Sequence, residues 1–461
     1  MKAVFIERYS AEKLFKADYN PRAIQPEKLE LLKKSITHFG LIKPLILNGE
    51  NGILTAGHQR ITAIKALGIK EVPVIQMEGI SRQDEIRFNL YHNSIETNAS
   101  KVRLTGPLRL GYNIVPSDEI VIIGRGKTVV LNEIGNLIIK YGEWGSVICD
   151  EDGNVLYNAD YAVSCKLLRR ELLCFVISSK DVEALDRYLT VDFGEYYYEN
   201  LGVRSCNQLY CQLHRSINGE VVKRQNRSTT YDRHVLPRIN RDMRILDFGA
   251  GECAYARRLQ ADGFKILAYE PNYRNQNNNV DIRQVVRFIR DIEKDVRENG
   301  LFDMVVLDSV LNSVISPKVE HDVIVACAAF LKPDGVLVLG TRNLGSVLSH
   351  ARAGHATGKK RYLEFLDKDN FCATWRAGVW TMQHFHSGET LETLLRAYFD
   401  AVEIIATETG SNIYAVACKK KYLDPERLRD ALECELNFEY TNGFQHNRHG
   451  PLLEQVMTLN T

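Results

Sequence analysis

The chain has almost no net charge and no long hydrophobic stretch. Its 59 Lys and Arg stand against 58 Asp and Glu, a formal net charge of +1, so overall charge points neither to nucleic acid nor to a membrane surface. No run approaches the roughly 18 to 20 apolar residues that span a bilayer, and residues 1–8 lack the apolar core of a secretory signal. We therefore expect a cytoplasmic protein without a membrane segment.

The sequence also lacks a Cys-x-x-Cys pair. Its ten cysteines begin only at Cys149, which argues against a disulfide framework and against a zinc finger. Cys206, Cys211 and His214 are neighbours in sequence, but three loosely spaced residues do not make a ligand set. We predict no metal site.

What the chain does contain is a nucleoside-binding pattern. Residues 244–251 predict a buried strand that ends in Asp247 and two glycines, Gly249 and Gly251. The glycines let the backbone pass close to a ligand at the N-terminus of the next helix. The following strand ends in Glu270, a carboxylate placed to accept both ribose hydroxyls of a nucleoside.

Two later segments extend the pattern. Residues 302–308 predict a further parallel strand, and residues 330–340 predict a helix end, a turn and another strand. Together these motifs resemble the class I S-adenosylmethionine-dependent methyltransferases. The resemblance implies S-adenosylmethionine as cofactor and a role for each loop residue: Gly249 and Gly251 beneath the cofactor, Asp247 near its methionine part, Glu270 at the ribose, and Asp308 at the methyl group or the acceptor.

A nicotinamide-binding Rossmann domain is the rival interpretation, because residues 249–254 also fit Gly-x-Gly-x-x-Ala. Asp247 argues against it, since its carboxylate would face a pyrophosphate unfavourably but suits the cationic methionine end of S-adenosylmethionine. Cys253 stands where many methyltransferases carry a third glycine, so we expect the loop to be slightly displaced.

The methyl acceptor is not defined by a known motif. Residues 308–315 contain no Pro-Pro-aromatic loop of the kind used in amino methylation of DNA bases. Methylation of cytosine at C5 needs a thiolate nucleophile, but the nearest cysteine, Cys327, is predicted to lie inside an apolar helix. Asp308 and Asn312 can accept hydrogen bonds from a nucleophile and are the predicted catalytic residues. Capping of the strand end is the structural alternative for both.

The N-terminal region carries a second pattern, with a helix ending at Gly40, a turn at Asn51, and residues 53–60 leading into another helix. It resembles the N-terminal domain of the ParB and sulfiredoxin superfamily. At its loop, Gly57 allows close backbone approach and Arg60 can fork onto phosphate oxygens. The resemblance implies a nucleoside triphosphate, with Mg²⁺, whose phosphates lie near three residues: His58, Arg60 and Arg22.

Two departures limit this resemblance. His92-Asn93 replaces the Glu-Asn pair of many ParB proteins, which leaves hydrolysis of the triphosphate open. The loop also has no nucleophilic cysteine, so repair of peroxiredoxin is not expected.

Residues 134–177 repeat the first pattern, with residues 158–161 in place of Gly57-His58-Gln59-Arg60. The copy reads Asn-Ala-Asp-Tyr there and so lacks both the flexible residue and the cation. We predict a degenerate second module that keeps the core and has lost phosphate binding, with chance similarity as the alternative. Such a module suits packing, dimerisation or contact with a partner.

Between the modules and the nucleoside pattern, basic residues outnumber acidic ones from Lys223 to Arg244. The segment is either a solvated linker or a phosphate-contacting approach, in which Tyr231 and His234 offer aromatic surface to a base. A long insertion at residues 350–386 interleaves cations with aromatics. It would cover either an acceptor or the cofactor.

The predicted fold is α/β: a Rossmann-like class I methyltransferase sheet, preceded by one or two small α+β ParB/sulfiredoxin-like domains. The expected boundaries are 1–100 and 101–180 for the modules, 181–235 for the basic linker, 236–420 for the methyltransferase domain and 421–461 for a docking tail. We predict an S-adenosylmethionine-dependent methyltransferase associated with DNA modification, with nucleic acid, DNA foremost, as partner and dimerisation or a partner protein through the modules. Two alternatives remain: a nucleotide-switched DNA-associated protein whose S-adenosylmethionine domain is not catalytic, or a methyltransferase acting on a small molecule or protein.

Overall fold

The computed structural model divides the chain into two units, residues 1–205 with 362–381 and residues 206–361 with 382–461. The structure describes residues 2–18, 22–24, 26–85, 88, 100–126, 128–189, 195–196, 228–276, 279–314, 317–346, 349, 363–365, 371–376, 379–406, 410–440 and 443–460.

The first module of the first unit is a four-stranded sheet with two helices. Its strands are β1 (Lys2–Ser10), β3 (Leu45–Asn48), β4 (Leu54–Ala56) and β5 (Glu71–Glu78), in the order β1-β5-β3-β4. Strand β5 is parallel to β3 and antiparallel to β1, and β3 is antiparallel to β4. Helices α1 (Pro26–Phe39) and α2 (His58–Ala66) pack apolar side chains on the sheet. A short strand β2 (Arg22–Ala23) pairs with residues 195–196.

The second module has the same arrangement. Its sheet consists of β7 (Gly111–Val115), β9 (Ser146–Cys149), β10 (Val155–Tyr157) and β11 (Leu172–Val176), in the order β10-β9-β11-β7. Strand β11 is parallel to β9 and antiparallel to β7, and β9 is antiparallel to β10. The two modules therefore share strand order and strand directions.

The helices correspond as well. Helix α3 (Thr128–Tyr141) has 14 residues, as α1 does, and α4 (Ala159–Leu167) has nine, as α2 does. The remaining elements of this unit are β6 (Lys101–Leu104) paired with β8 (Ile120–Gly124), helix α5 (Val182–Leu189) and strand β12 (Glu195–Tyr196).

The second unit is built on a six-stranded, mainly parallel sheet. The strands are β13 (Arg244–Phe248), β14 (Lys265–Tyr269), β15 (Phe302–Asp308), β16 (Leu331–Arg342), β20 (Phe399–Ala406) and β21 (Asn412–Lys420), in the order β14-β13-β15-β16-β21-β20. Only β21 runs against its neighbours. All five residues of β13 are buried, as expected for a strand covered on both faces. This mixed α/β architecture confirms the predicted fold class.

Helices cover this sheet, and the end of the chain contributes two of them. They are α6 (Ala254–Ala261), α7 (Ile282–Asn299), α8 (Pro317–Ala329), α9 (Gly388–Arg396), α10 (Pro425–Leu436) and α11 (Gly450–Thr458). Leu428 and Leu432 of α10, with Leu452 and Val456 of α11, join the main hydrophobic core at helical spacing. A separate three-stranded sheet of β17 (Leu363–Phe365), β18 (Phe371–Arg376) and β19 (Val379–His384) belongs mostly to the first unit, which includes residues 362–381. Among the described residues, no helix is long and apolar enough to cross a membrane.

Lys420, the last residue of β21, predicts a pH dependence of stability. Its Nζ donates hydrogen bonds to Leu331 O at 2.5 Å and Asn460 Oδ1 at 2.8 Å, and burial lowers its pKa from 10.5 to about 8. Between these pH values the unfolded chain binds a proton that the folded chain does not, so this group's contribution to the free energy of unfolding increases with pH.

We therefore expect the unfolding free energy of the wild type, minus that of Lys420→Met, to increase between pH 8 and pH 10.5. Urea denaturation at several pH values measures it. A difference that stays constant across this range would contradict the prediction.

Candidate functional site

The glycine loop after β13 is held against the end of β14. The amides of Gly249 and Ala250 donate to Tyr269 O at 2.8 and 3.0 Å. Gly249 has φ +77°, and a Cβ at this position would lie 2.4 Å from Val310 Cγ2. Cys253, at the start of α6, has φ +56°, a left-handed conformation that glycine adopts at lower cost. The loop therefore follows the path that a third glycine would favour.

Glu270 closes this loop from the neighbouring strand. Its side chain is only 1% exposed, and its oxygens accept hydrogen bonds from Gly251 N at 2.7 Å and Asn272 N at 2.9 Å. Two backbone donors fix the position of this carboxylate. The buried side-chain amide of Asn272 has no hydrogen-bond partner among the described residues. Sequence reasoning missed Asn272, whose only signal is a polar residue two positions after the acid.

A small cavity opens between these elements. It is lined by residues of the loop, of the strand ends and of the tail: Phe248, Gly249, Glu270, Pro271, Val310, Ser313 and Glu435. Two of these lining residues are acids, Glu270 and Glu435, and their charge is favourable for a cation. Glu435 comes from α10, and the Tyr440 hydroxyl donates to Pro271 O at 2.7 Å, so the end of the chain helps to form the site. Sequence reasoning did not include Glu435.

Asp247 lies beside a turn that precedes the sheet. Asp247 is 4% exposed. The turn is a short π-helix, Thr230–Val235, and its Tyr231 lies near the Asp247 carboxylate. Burial, together with the Asp247 charge, raises the pKa of Tyr231 well above its usual value, so its phenol stays neutral. Tyr231 is 2% exposed and stacks on Tyr255 with ring centroids 4.1 Å apart. The expectation that Tyr231 offers a surface to a base is therefore wrong, because its ring is buried.

The same turn holds Asp308 at the end of β15. Asp308 Oδ2 accepts from Ser228 Oγ at 2.6 Å, and Oδ1 accepts from Thr230 Oγ1 at 2.7 Å. A Cβ on Gly340 of β16 would lie 2.3 Å from Thr230 Oγ1, so glycine makes room for this contact. Ser228 and Thr230, which sequence reasoning missed, thus form a cover over the predicted catalytic carboxylate.

Asn312 is the second predicted catalytic residue. It lies in a short 3-10 turn, Leu311–Ser313, just beyond β15. Its side-chain oxygen is buried and has no hydrogen-bond partner among the described residues. Burying an acceptor without a hydrogen bond carries a desolvation penalty. A ligand that donates a hydrogen bond to Asn312 Oδ1 removes this penalty, which favours its binding.

In the first module, Gly57 and Arg60 form a tight corner. Gly57 has φ +98° at the start of α2, and a Cβ there would lie 2.4 Å from Leu45 Cδ2. Arg60 Nη1 donates to Lys43 O at 2.6 Å and Pro44 O at 3.0 Å. The guanidinium thus links α2 to the segment before β3.

His58 and Arg22 were also predicted to lie at this corner, and the structure describes the side chain of only one of them. His58 is buried at the first position of α2. The side chain of Arg22 lies outside the described residues, as do Cys206, Cys211, His214 and the basic residues from Lys223 to Arg227.

The corresponding corner of the second module also has a hydrogen bond between the helix and the segment before the strand, but here the side chain accepts the bond instead of donating it. Asn158 takes the position of Gly57, with φ +62°. Tyr161 takes that of Arg60, and its hydroxyl accepts a hydrogen bond from Gly145 N at 3.0 Å. Tyr161 is fully buried and packs edge-to-face on Trp144. Residues 158–161 contain no cationic side chain.

Two family models match the chain: a methyltransferase domain over residues 223–398 and a ParB N-terminal domain over residues 3–94. The ParB-like nuclease domain-containing protein YnaK of Escherichia coli K12 is 33% identical over 69 residues, which are 15% of this chain and 78% of that protein. A Campylobacter jejuni protein, "Probable chromosome-partitioning protein ParB", is 44% identical over 61 residues, 12% of this chain. The match spans only 22% of that relative's length.

A solved structure of S-adenosylmethionine-dependent methyltransferases from Methanosarcina mazei is similar with a TM-score of 0.25 and 19% identity, covering 39% of this chain and 91% of that chain. Similarity at this level does not bear on activity. The two family models confirm both resemblances that the sequence shows. The chain belongs to the ParB-like family through its N-terminal domain and carries a methyltransferase domain C-terminal to it.

Proposed function

We propose that the C-terminal unit binds S-adenosylmethionine at the edge formed by Gly249, Gly251 and Glu270 and transfers its methyl group. The buried Glu270 carboxylate, fixed by Gly251 N, carries this proposal, because it is a preformed acceptor for ribose hydroxyls. Asp247 supplies negative charge for the methionine ammonium group. The Asn272 amide is a candidate partner for the nucleoside.

The loop geometry disfavours a nicotinamide dinucleotide. A pyrophosphate needs free backbone N–H groups, but Gly249 and Ala250 already donate to Tyr269 O, and Gly251 donates to Glu270. Equilibrium dialysis against S-adenosylmethionine and against NAD shows which of the two cofactors the chain binds. Binding of S-adenosylmethionine alone supports the proposal, whereas binding of NAD alone would overturn it.

We infer a nucleic acid, DNA foremost, as the methyl acceptor. The ParB-like N-terminal domain supports this assignment, because it couples the methyltransferase domain to a family that includes chromosome-partitioning proteins. Asn312 Oδ1 is the acceptor group on the protein that would orient a nucleophilic amine or hydroxyl.

A second candidate function is a domain that senses S-adenosylmethionine without turning it over. The cover over Asp308 favours it, because Ser228 and Thr230 both donate to this carboxylate. Tight cofactor binding without methyl transfer to any acceptor would distinguish this function from the first.

For the N-terminal domain we propose a nucleoside triphosphate ligand at the Gly57 corner, and we infer that the second module is a degenerate copy without such a ligand. The positive φ of Gly57 and the N-terminus of α2 support the first proposal. The shared topology and the loss of the cation at Tyr161 support the second.

Arg60→Lys is expected to weaken triphosphate binding by about 10-fold or more, because lysine keeps one charge but loses the planar fork. Tyr161→Phe, the matched change in the second module, should leave the affinity unchanged. Fluorescence titration with labelled nucleoside triphosphates measures both, with circular dichroism as the check on folding. Equal affinities for wild type and Arg60→Lys would contradict the proposed phosphate site.

A further inference from the structure

Away from the proposed cofactor edge, the second unit contains a buried cluster of two histidines and one glutamate. Glu320 is 4% exposed on α8, and His384 and His386 are 9% and 2% exposed. One potential ligand atom from each residue lies within 4.8 Å of the other two. Neither the methyl transfer nor the triphosphate site proposed above uses these residues.

The sequence His384-Phe385-His386 places both imidazoles on one side of an extended segment. Alternate residues of a strand point to the same face, and Phe385 between them is buried at 2% exposure. His384 is the last residue of β19, and His386 forms an isolated bridge with Asn343. The histidines are thus presented as a pair by the backbone.

The potential ligand atoms of the three residues lie close together. Glu320 Oε1 lies 2.5 Å from His384 Nδ1 and 3.2 Å from His386 Nε2. Ligand atoms at the usual distances from a tetrahedral zinc ion lie about 3.3 Å apart. Glu320 Oε1 and His386 Nε2 already meet this spacing, and the three ligand atoms all lie within 4.8 Å of one another.

Contacts beyond the three ligands hold the pair in place. His386 Nδ1 lies 3.4 Å from Thr390 Oγ1, and Thr390 belongs to the capping box of α9. The backbone of His386 is hydrogen-bonded to the two residues that flank Asn343: Leu344 N donates to His386 O, and His386 N donates to Arg342 O. Outer contacts of this kind orient metal-bound imidazoles.

We propose that Glu320, His384 and His386 bind one divalent transition-metal ion, with a fourth position open to water or a ligand. Two imidazoles and a carboxylate are a donor set for zinc and for non-haem iron, whereas magnesium and calcium prefer oxygen ligands. The ion would join α8 to the segment that follows β19, next to the carboxyl end of β16. This site was not predicted from the sequence, and it is independent of the proposed methyl transfer.

The test is a titration of the chelator-treated full-length chain with Co²⁺, followed by visible absorption and by displacement with Zn²⁺. We expect one equivalent of Co²⁺ with ligand-field bands typical of nitrogen and oxygen ligands. No binding to the folded wild type at micromolar free Co²⁺ overturns the site. Intense thiolate charge-transfer bands would also overturn it, because they would place the ion at a cysteine.

Variants locate the ion. Glu320→Gln and His386→Gln are each expected to weaken Co²⁺ binding by more than about 100-fold. His449→Gln is the matched control, since His449 Nε2 lies 2.7 Å from Glu433 Oε2 and this histidine–carboxylate pair belongs to no three-ligand group among the described residues. It should bind Co²⁺ as the wild type does. Equal loss in all three variants, or unchanged binding in the first two, contradicts the assignment.

Discussion

Replacing Glu270 by alanine should weaken S-adenosylmethionine binding by about 100-fold or more, since two hydrogen bonds to a charged acceptor contribute roughly 3 kcal/mol or more. The substitution also leaves Gly251 N without its acceptor. Isothermal titration calorimetry with S-adenosylmethionine measures the loss.

Glu252 provides the matched control, because it is an exposed acid in the same loop. Glu252→Ala should bind S-adenosylmethionine as the wild type does. Glu270→Gln should give an intermediate affinity, because its amide oxygen still accepts from Gly251 N while the negative charge is lost. If Glu270→Ala binds as tightly as the wild type and is folded, the cofactor does not lie at this edge.

Replacing Asn312 by alanine should lower the rate of methyl transfer by about 100-fold while leaving S-adenosylmethionine affinity nearly unchanged. The physical reason is Asn312 Oδ1, a buried acceptor without a hydrogen-bond partner in the described part of the chain, which a ligand can satisfy. Single-turnover transfer of labelled methyl groups, with the binding constant measured in parallel, separates the two effects.

Asn299→Ala, an exposed change at the end of α7, is the control for handling and folding. Asn312→Asp should retain part of the activity, since its carboxylate also accepts hydrogen bonds. A full rate in Asn312→Ala would assign the orientation of the acceptor to another residue. Loss of cofactor affinity together with rate would instead place Asn312 against the cofactor.

Local pattern made one part of the site predictable. Asp247, the two loop glycines and Glu270 follow directly from a buried strand, a turn and a second strand end, and the structure brings them to one edge of the sheet. The spacing of a βαβ unit determines this arrangement.

The particular contacts of the cover and of the docking tail could not be predicted, because they depend on tertiary packing. Ser228 and Thr230 bond to Asp308 across 80 and 78 positions of the chain. Glu435 reaches the cavity only because α10 packs on the core. No local motif reports such contacts.

The Gly57 corner shows a subtler difference between pattern and structure. A glycine followed by an arginine at a helix start indicates phosphate binding, and the conformation of Gly57 fits that interpretation. The structure adds that Arg60 also holds α2 to the carbonyls of Lys43 and Pro44. Because Tyr161 makes the equivalent link in the second module, this position has a structural role as well.

The proposed metal site also could not be predicted from the sequence, because its three residues meet only through tertiary packing. His384 and His386 are two apart, which sequence alone reveals, but Glu320 is 64 positions from His384. Only the packing of α8 beside the segment after β19 completes the donor set.

Transfer of a labelled methyl group tests the central claim most directly. The wild-type chain is incubated with methyl-labelled S-adenosylmethionine and separate DNA, RNA, protein and small-molecule fractions, with Glu270→Ala as the inactive control. We predict label in the DNA fraction with the wild type and none with the variant. Label confined to small molecules, or no label despite cofactor binding, would contradict a DNA-directed methyltransferase.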